Sequence, residues 1–235
     1  MLKKNLVVHV PHASIYVPDS ALNQFTVDPN SVQLEAHESA DLYTDLIAQA
    51  AWPHANIICA KVSRIVVDVE RYIIDTKEEM SQVGRGVIYT HDHNGRSFRK
   101  KLDVNDRKSL IANYYKPHWR RLKVAARGAV LIDLHTYPKD PWKIERRPSD
   151  PRPEIDLGFE KITAPMDWIN DLTKHFRECG YDVAHNTPYS GVIEIGAAAA
   201  VMIEIRRDVV GEPNSPQWDK LIHALGSMPL PLLMS

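Results

Sequence analysis

Residues 129–134 read AVLIDL and are followed at once by His135. An almost wholly apolar run of strand length is what a strand buried on both faces looks like, and such strands belong to parallel sheets covered by helices on either side. His135 then stands at the strand's carboxyl end, where open α/β sheets gather their sites. A second run, NLVVHV at 5–10, is rich in β-branched residues and is stopped by Pro11, so His12 lies just past another strand end.

Working outward from these two runs, helices and strands alternate. Leu42, Leu46, Ile47 and Ala50 give helical spacing over 31–51, and Pro53 stops that helix. Strands are expected at 55–60, 64–69 and 86–90, with a turn at 91–95. Ile111, Tyr115, Trp119 and Leu122 line one side of a long helix over 106–127. Five of the sixteen prolines fall in 138–153 beside Arg146, Arg147 and Arg152, which excludes regular structure and leaves a long loop of the kind that serves as a lid. Met166, Ile169, Leu172 and Phe176 mark a further helix closed by Gly180, and two strands at 191–196 and 199–205 precede a helix at 217–225. The alternation argues for an α/β layer fold with a mixed, mostly parallel sheet and helices on both faces, as one domain over 1–235.

Composition agrees with a folded, non-fibrous chain: 235 residues, 44% hydrophobic and 25% charged. Such a length buries a sizeable core without staples, so a bound metal would serve chemistry. The net charge of −1 leaves no electrostatic footprint for nucleic acid or an anionic membrane, and a small-molecule partner is expected. Cys59 and Cys179 form neither a disulfide framework nor a CxxC site. The apolar run near the start is too short for a secretory segment and no stretch approaches a membrane span, which predicts a soluble cytoplasmic protein.

His12, His135 and the acidic His37-Glu38-Ser39-Ala40-Asp41 stretch could assemble three ligands with an open position, the arrangement that zinc uses for catalysis. Taken singly, the two histidines read more often as hydrogen-bonded structural residues. Asp133 shares a strand face with His135 and could orient its imidazole or act as another ligand. Glu38, Asp41 and Asp45 share one helix face, which is commonly a solvated one. Glu204 interrupts the apolar strand AVMIEIRR and needs either a salt bridge with Arg206 or Arg71 or work as a general base. Arg64 and Arg71 suit a substrate carboxylate, though Arg64 with Asp68 reads equally as a structural ion pair. The stretch Asn186-Thr187-Pro188-Tyr189-Ser190-Gly191 offers amide and hydroxyl groups or simply a tight turn. Ser14 beside His12 hints at a serine hydrolase, but there is no GxSxG elbow, and GxGxxG and GxxxxGK[ST] are also missing.

Several motifs together, in order along nearly the whole chain, resemble the N-formylglutamate amidohydrolase family. Pro11-His12-Ala13-Ser14 looks like its PHSG. Asp41 with Thr44-Asp45 looks like its Asp-containing helix start, and Ser63 through Arg71 is similar to its SRxxxDxNR. Gly84 through Thr90 with Gly95 and Arg99 resembles its glycine-rich region, and Tyr115-Lys116-Pro117-His118 its YxPY helix. Ile132 through Thr136 is similar to its DxHS strand end, Ile155 through Gly158 to its DIxLG, Asn186 through Gly191 to NxPYxGG, and Met202 through Arg206 to its QxE strand.

The resemblance implies a phosphorylase/hydrolase-like three-layer sandwich, related to zinc carboxypeptidases, that hydrolyses the amide of a small N-formyl or N-acyl amino acid with metal-activated water. It implies His12 and His135 as zinc ligands with Asp41 as the third, a position that Asp41 matches better than Glu38, which one helical turn away on the same face is the alternative. Glu204 would activate water, Arg64 and Arg71 would hold the substrate carboxylate, and Asn186, Tyr189 and Arg206 would complete the substrate site. Two departures bear on the substrate: Glu70 stands where Asn is usual and Met202 where Gln is usual. The rival readings are a ligand-binding protein on the same fold that has lost catalysis and a metal-free serine hydrolase using Ser14.

Overall fold

The computed structural model describes residues 5–193 and 195–232. Residues 130–134 of the AVLIDL run form the first five positions of β3 (Val130–Tyr137), which is buried along its whole length and continues through His135. β3 lies between β1 (Leu6–Val10) and β6 (Ala199–Arg206), parallel to both. β2 (Asn56–Cys59) extends the sheet beyond β1, and β4 (Ile155–Gly158) with β5 (Val183–His185) extends it beyond β6. The order is β2-β1-β3-β6-β4-β5, with only the β4–β6 pairing antiparallel. The expected mixed, mostly parallel α/β sheet is therefore observed.

Period-2 alternation sorts the three central strands into two faces. Val8, Val10, Val130, Ile132, Leu134, Val201, Ile203 and Ile205 pack on one side against α3 (Thr44–Ala51), α6 (Met166–Glu178) and α7 (Pro216–Gly226). On the other side Val7, Leu131 and Ala200 pack with Leu122 of α5 (Lys116–Ala126), completing the three layers. Along that second face the apolar residues give way toward the strands' carboxyl ends to His9, Asp133, His135 and Glu204, all buried. The residues between β2 and α5 pack over those ends in a separate core around Ile65, Val66, Val67, Val87, Tyr89 and Phe98.

Several expected elements differ. The helix expected over 31–51 is two helices, α2 (Pro29–Ser39), which follows the short α1 (Asp19–Leu22), and α3, because the chain turns at Tyr43 with φ of 67°. Asp28 caps α2 through the amides of Asn30 and Ser31, a bond type typically worth about 1 kcal/mol. The strands expected at 64–69 and 86–90 are turns with isolated bridges, since their apolar side chains enter the second core instead of pairing in the sheet. The described residues of 191–196 form no strand either. The helix expected over 106–127 is α4 (Val104–Leu110) running into α5 through one wide turn at Ile111–Tyr115. No helix among the described residues is long and apolar enough to cross a membrane.

Candidate metal centre and active site

His12 lies two residues past β1, and His135 in β3 is the pairing partner of Glu204 in β6, so adjacent strands bring three distant residues together. Asp41 sits in the break between α2 and α3, where its amide donates to the His12 carbonyl at 2.9 Å. Arg207 secures that break by donating to the carbonyls of Glu38 at 3.1 Å and Ala40 at 2.7 Å, groups left free by the end of α2.

The two imidazoles, with ring centroids 5.2 Å apart, present different edges to different acids. Their Nδ1 atoms face Asp41 Oδ2, at 2.9 Å from His135 and 3.4 Å from His12. Their Nε2 atoms meet Asp68 Oδ1 at 2.9 Å from His12 and Asp133 Oδ1 at 3.2 Å from His135. Glu70 lies 3.4 Å from both Nε2 atoms. Among the described residues, His12, Glu70 and His135 form one group of donors lying within 4.8 Å of one another, and His9, Glu70 and Asp133 form another.

The site fits a cation. Five carboxylates (Asp41, Asp68, Glu70, Asp133 and Glu204) outnumber the guanidinium groups of Arg64 and Arg71 there, with Arg207 behind Asp41. His12 Nδ1 is buried with no hydrogen-bond partner, because Asp41 lies near it but off the hydrogen-bond line. Imidazole nitrogen and carboxylate oxygen are the donor types zinc takes.

Burial dominates the titration of these groups, and charge neighbours decide its direction. Burial opposes ionisation of Asp41, yet the close imidazole edges of His12 and His135 outweigh it and hold the carboxyl far below its usual range. Burial and Arg64 oppose charging of His12, but Asp68, Glu70 and Asp41 raise it overall. Glu204 has the reverse balance: burial pushes it up to about 8, and His135 only partly offsets this.

Asp156 on β4 pairs with Glu204 in the sheet and accepts from the Thr187 amide, while its Oδ2 is buried without a partner. Burial raises its carboxyl to about 7. Between about pH 4 and pH 7 the folded state holds a proton that the unfolded state has lost, so stability falls as pH rises through that window, by on the order of 2–4 kcal/mol. Asp156→Asn should therefore stabilise the protein at pH 8 by that order and hardly at all at pH 4. Denaturant melts of both proteins at the two pH values check this, and an unchanged difference across pH would contradict it.

The remaining candidates divide. Arg64 donates to Asp68 Oδ2 through Nε at 3.1 Å and Nη2 at 2.9 Å and lies 3.6 Å from Asp41, so its charge is largely spent on the site's own acids. Arg71 lies 3.6 Å from Asp68 and 3.5 Å from Glu78 and is the more exposed of the two, at 28% against 12%. Among the described residues neither Arg71 nor Arg206 pairs with Glu204. Arg206 turns to Asp208 at 2.6 Å and to the Arg152 carbonyl at 2.7 Å. Asn186 spends its side-chain oxygen on the amides of Phe159 and Gly191, shaping the turn, and Tyr189 packs edge-on against Tyr137. Glu38 points to Trp142, whose Nε1 donates to it at 3.1 Å. Ser14 bonds the Lys61 carbonyl and the Tyr16 amide, not an imidazole.

Sequence reasoning did not single out His9, His118, Tyr89 or Arg207, and it noted Glu70 only as a departure from the family pattern. Tyr89 donates to Asp68 Oδ2 at 2.6 Å, completing a buried hub around that carboxylate. The segment 138–153 is irregular, as expected, and is tied down: Trp142 lies between the Arg85 and Arg207 guanidinium groups, and Arg152 binds Glu145 at 2.7 Å.

The sequence pattern of the N-formylglutamate amidohydrolase family matches residues 4–210. No curated protein matches. Among solved structures, an N-formylglutamate amidohydrolase from Ralstonia eutropha JMP134 is similar at a TM-score of 0.77 and 22% identity, over 95% of this chain and 90% of that one. A gene product from Agrobacterium tumefaciens is similar at 0.69 and 18%, over 95% and 90%. These two likenesses concern the fold. The match along most of the chain, over a sheet that gathers two histidines and buried acids at its strand ends, means that this chain belongs to the N-formylglutamate amidohydrolase family of linear-amide hydrolases.

Proposed function

We propose that the chain is a zinc-dependent amidohydrolase that cleaves a small N-formyl or N-acyl amino acid, with His12, His135 and Asp41 holding the metal and Glu204 as general base. The observation that carries this reading is the arrangement of the two imidazoles. Carboxylates occupy both Nε2 edges and accept an N–H there, so each Nδ1, set beside the Asp41 carboxylate, is the edge left to share a cation with it, and that of His12 is buried without a hydrogen-bond partner. Zinc bound there supplies a Lewis acid for the amide carbonyl and lowers the pKa of water to about 7.

The chain's own residues do the rest. Glu204, beside His135 and paired with neither Arg71 nor Arg206, takes the proton of the attacking water and returns it to the leaving nitrogen. Arg71, the more exposed guanidinium, holds the substrate carboxylate, while Arg64 keeps Asp41 and Asp68 in place.

Glu70 on the Nε2 side is the competing third ligand. Elemental mass spectrometry of purified protein separates the two. About one zinc per chain is expected in wild type and in Glu70→Gln, with loss in His135→Ala and in Asp41→Ala. Loss in Glu70→Gln with retention in Asp41→Ala would transfer the ligand role to Glu70. A folded wild type that takes up no zinc, and turns over no member of a panel of N-formyl and N-acetyl amino acids, would leave a carboxylate-binding protein.

A further inference from the structure

A line of buried polar groups continues from His135 away from the open side of the site. Asp133 Oδ1 lies 3.2 Å from His135 Nε2 and also 2.8 Å from His9 Nδ1. His9 Nε2 lies 2.8 Å from Nε2 of His118, which α5 carries under the sheet. His9 is 1% exposed, Asp133 1% and His118 3%, so water has no ready access to substitute for a missing partner.

The hydrogen bonds along this line constrain where its protons sit. A carboxylate only accepts, so His9 Nδ1 and His135 Nε2 each donate to Asp133. Between His9 Nε2 and His118 Nε2 one ring nitrogen donates and the other accepts. His118 Nδ1 is buried with no hydrogen-bond partner, so the bond to His9 fixes how this ring is used. Burial, with His9 next, pushes His118 down to about 3, which makes it the neutral ring of the pair.

We infer that His118 and His9 are positioning residues for the metal, acting through Asp133 to fix the tautomer and ring angle of His135 so that its Nδ1 lone pair points into the cation site. This rests on His135 being a ligand. Neither residue touches substrate or metal. His118 hydrogen-bonds His9, His9 holds Asp133 Oδ1 in place, and that oxygen accepts from His135. Outer partners of metal-bound histidines typically change metal affinity about 10–100-fold when removed.

The test measures zinc affinity by competition with a chromophoric chelator, zinc stoichiometry, and the melting temperature of the metal-free protein. His118→Phe removes the hydrogen bond to His9 while keeping a ring, and should weaken zinc about 10–100-fold. His118→Gln can still offer an N–H to His9 and should recover most of that loss. His9→Asn, which retains a donor toward Asp133, should bind zinc more tightly than His9→Val; this pair carries the test if His118→Phe does not fold.

Stoichiometry should remain one throughout. Equal weakening in His118→Phe and His118→Gln at matched melting temperatures would show a packing role and overturn the inference. So would an affinity within twofold of wild type in His118→Phe. Two zinc ions in wild type falling to one in His9→Val would overturn it in favour of a second cation site at His9, Glu70 and Asp133. Retention of zinc by His135→Ala would instead refute the ligand assignment on which it depends.

Discussion

Glu204→Gln should leave zinc content and melting temperature close to wild type while lowering turnover of the best N-acyl amino acid by about 10²–10⁴-fold. The side chain is buried, has no ion pair with either candidate arginine, and lies next to His135 in the sheet. An amide of the same shape fits that place without the desolvation cost that pushes the carboxyl up to about 8. What the amide cannot do is accept a proton. Because a cation nearby favours the ionised carboxylate, the zinc-loaded wild type should lose activity with an acid limb below pH 8, absent from the residual rate of the variant. Full activity in Glu204→Gln would refute the general-base role.

Asp68→Ala should be the most damaging single change to stability, costing about 3–5 kcal/mol. Asp68 is fully buried and accepts from His12, both donating groups of Arg64, Tyr89 and the Glu70 amide. Removing it strands the Arg64 guanidinium, whose remaining acidic partner is Asp41 at 3.6 Å. It also frees the His12 ring to turn, so zinc affinity should fall together with stability. Asp68→Asn should recover part of the packing but not the charge balance. A loss below about 1 kcal/mol in urea melts of Asp68→Ala would show that the hub is dispensable.

The features legible in the sequence were those carried by long, regular patterns. AVLIDL identified β3, placed His135 near its carboxyl end, and implied the parallel sheet around it. His12 followed from Pro11 closing a β-branched run. The misreadings have local causes. β4 and β5 span four and three residues, too short for a period to show, so the sheet's antiparallel edge was missed. Val66 and Val67 suggest a strand by type, but they anchor turns in the second core. Nothing between Ala40 and Tyr43 announces a break, since neither Gly nor Pro is present and Tyr43 adopts the left-handed turn itself. Asp41 was therefore read on a continuous helix face, although it stands in the gap between two helices.

The buried acids and outer histidines were harder still. His9 is hidden inside an apolar run and His118 inside an amphipathic helix, and only three-dimensional proximity pairs them across 109 positions. Arg207 follows Arg206 directly, and residue type alone did not distinguish the one that holds the Asp41 turn from the one that pairs with Asp208.

The central position of β3 also sets the order of events when the chain folds. His12 and Asp68 meet across 56 positions, Asp41 and His135 across 94, and His9 and Asp133 across 124. Such distant pairings bear a large loop-closure entropy before any of them is rewarded, which slows folding and leaves the metal little to bind in a partly folded chain. The ion should thus act as a late lock: added zinc should slow unfolding strongly and leave the refolding rate nearly unchanged.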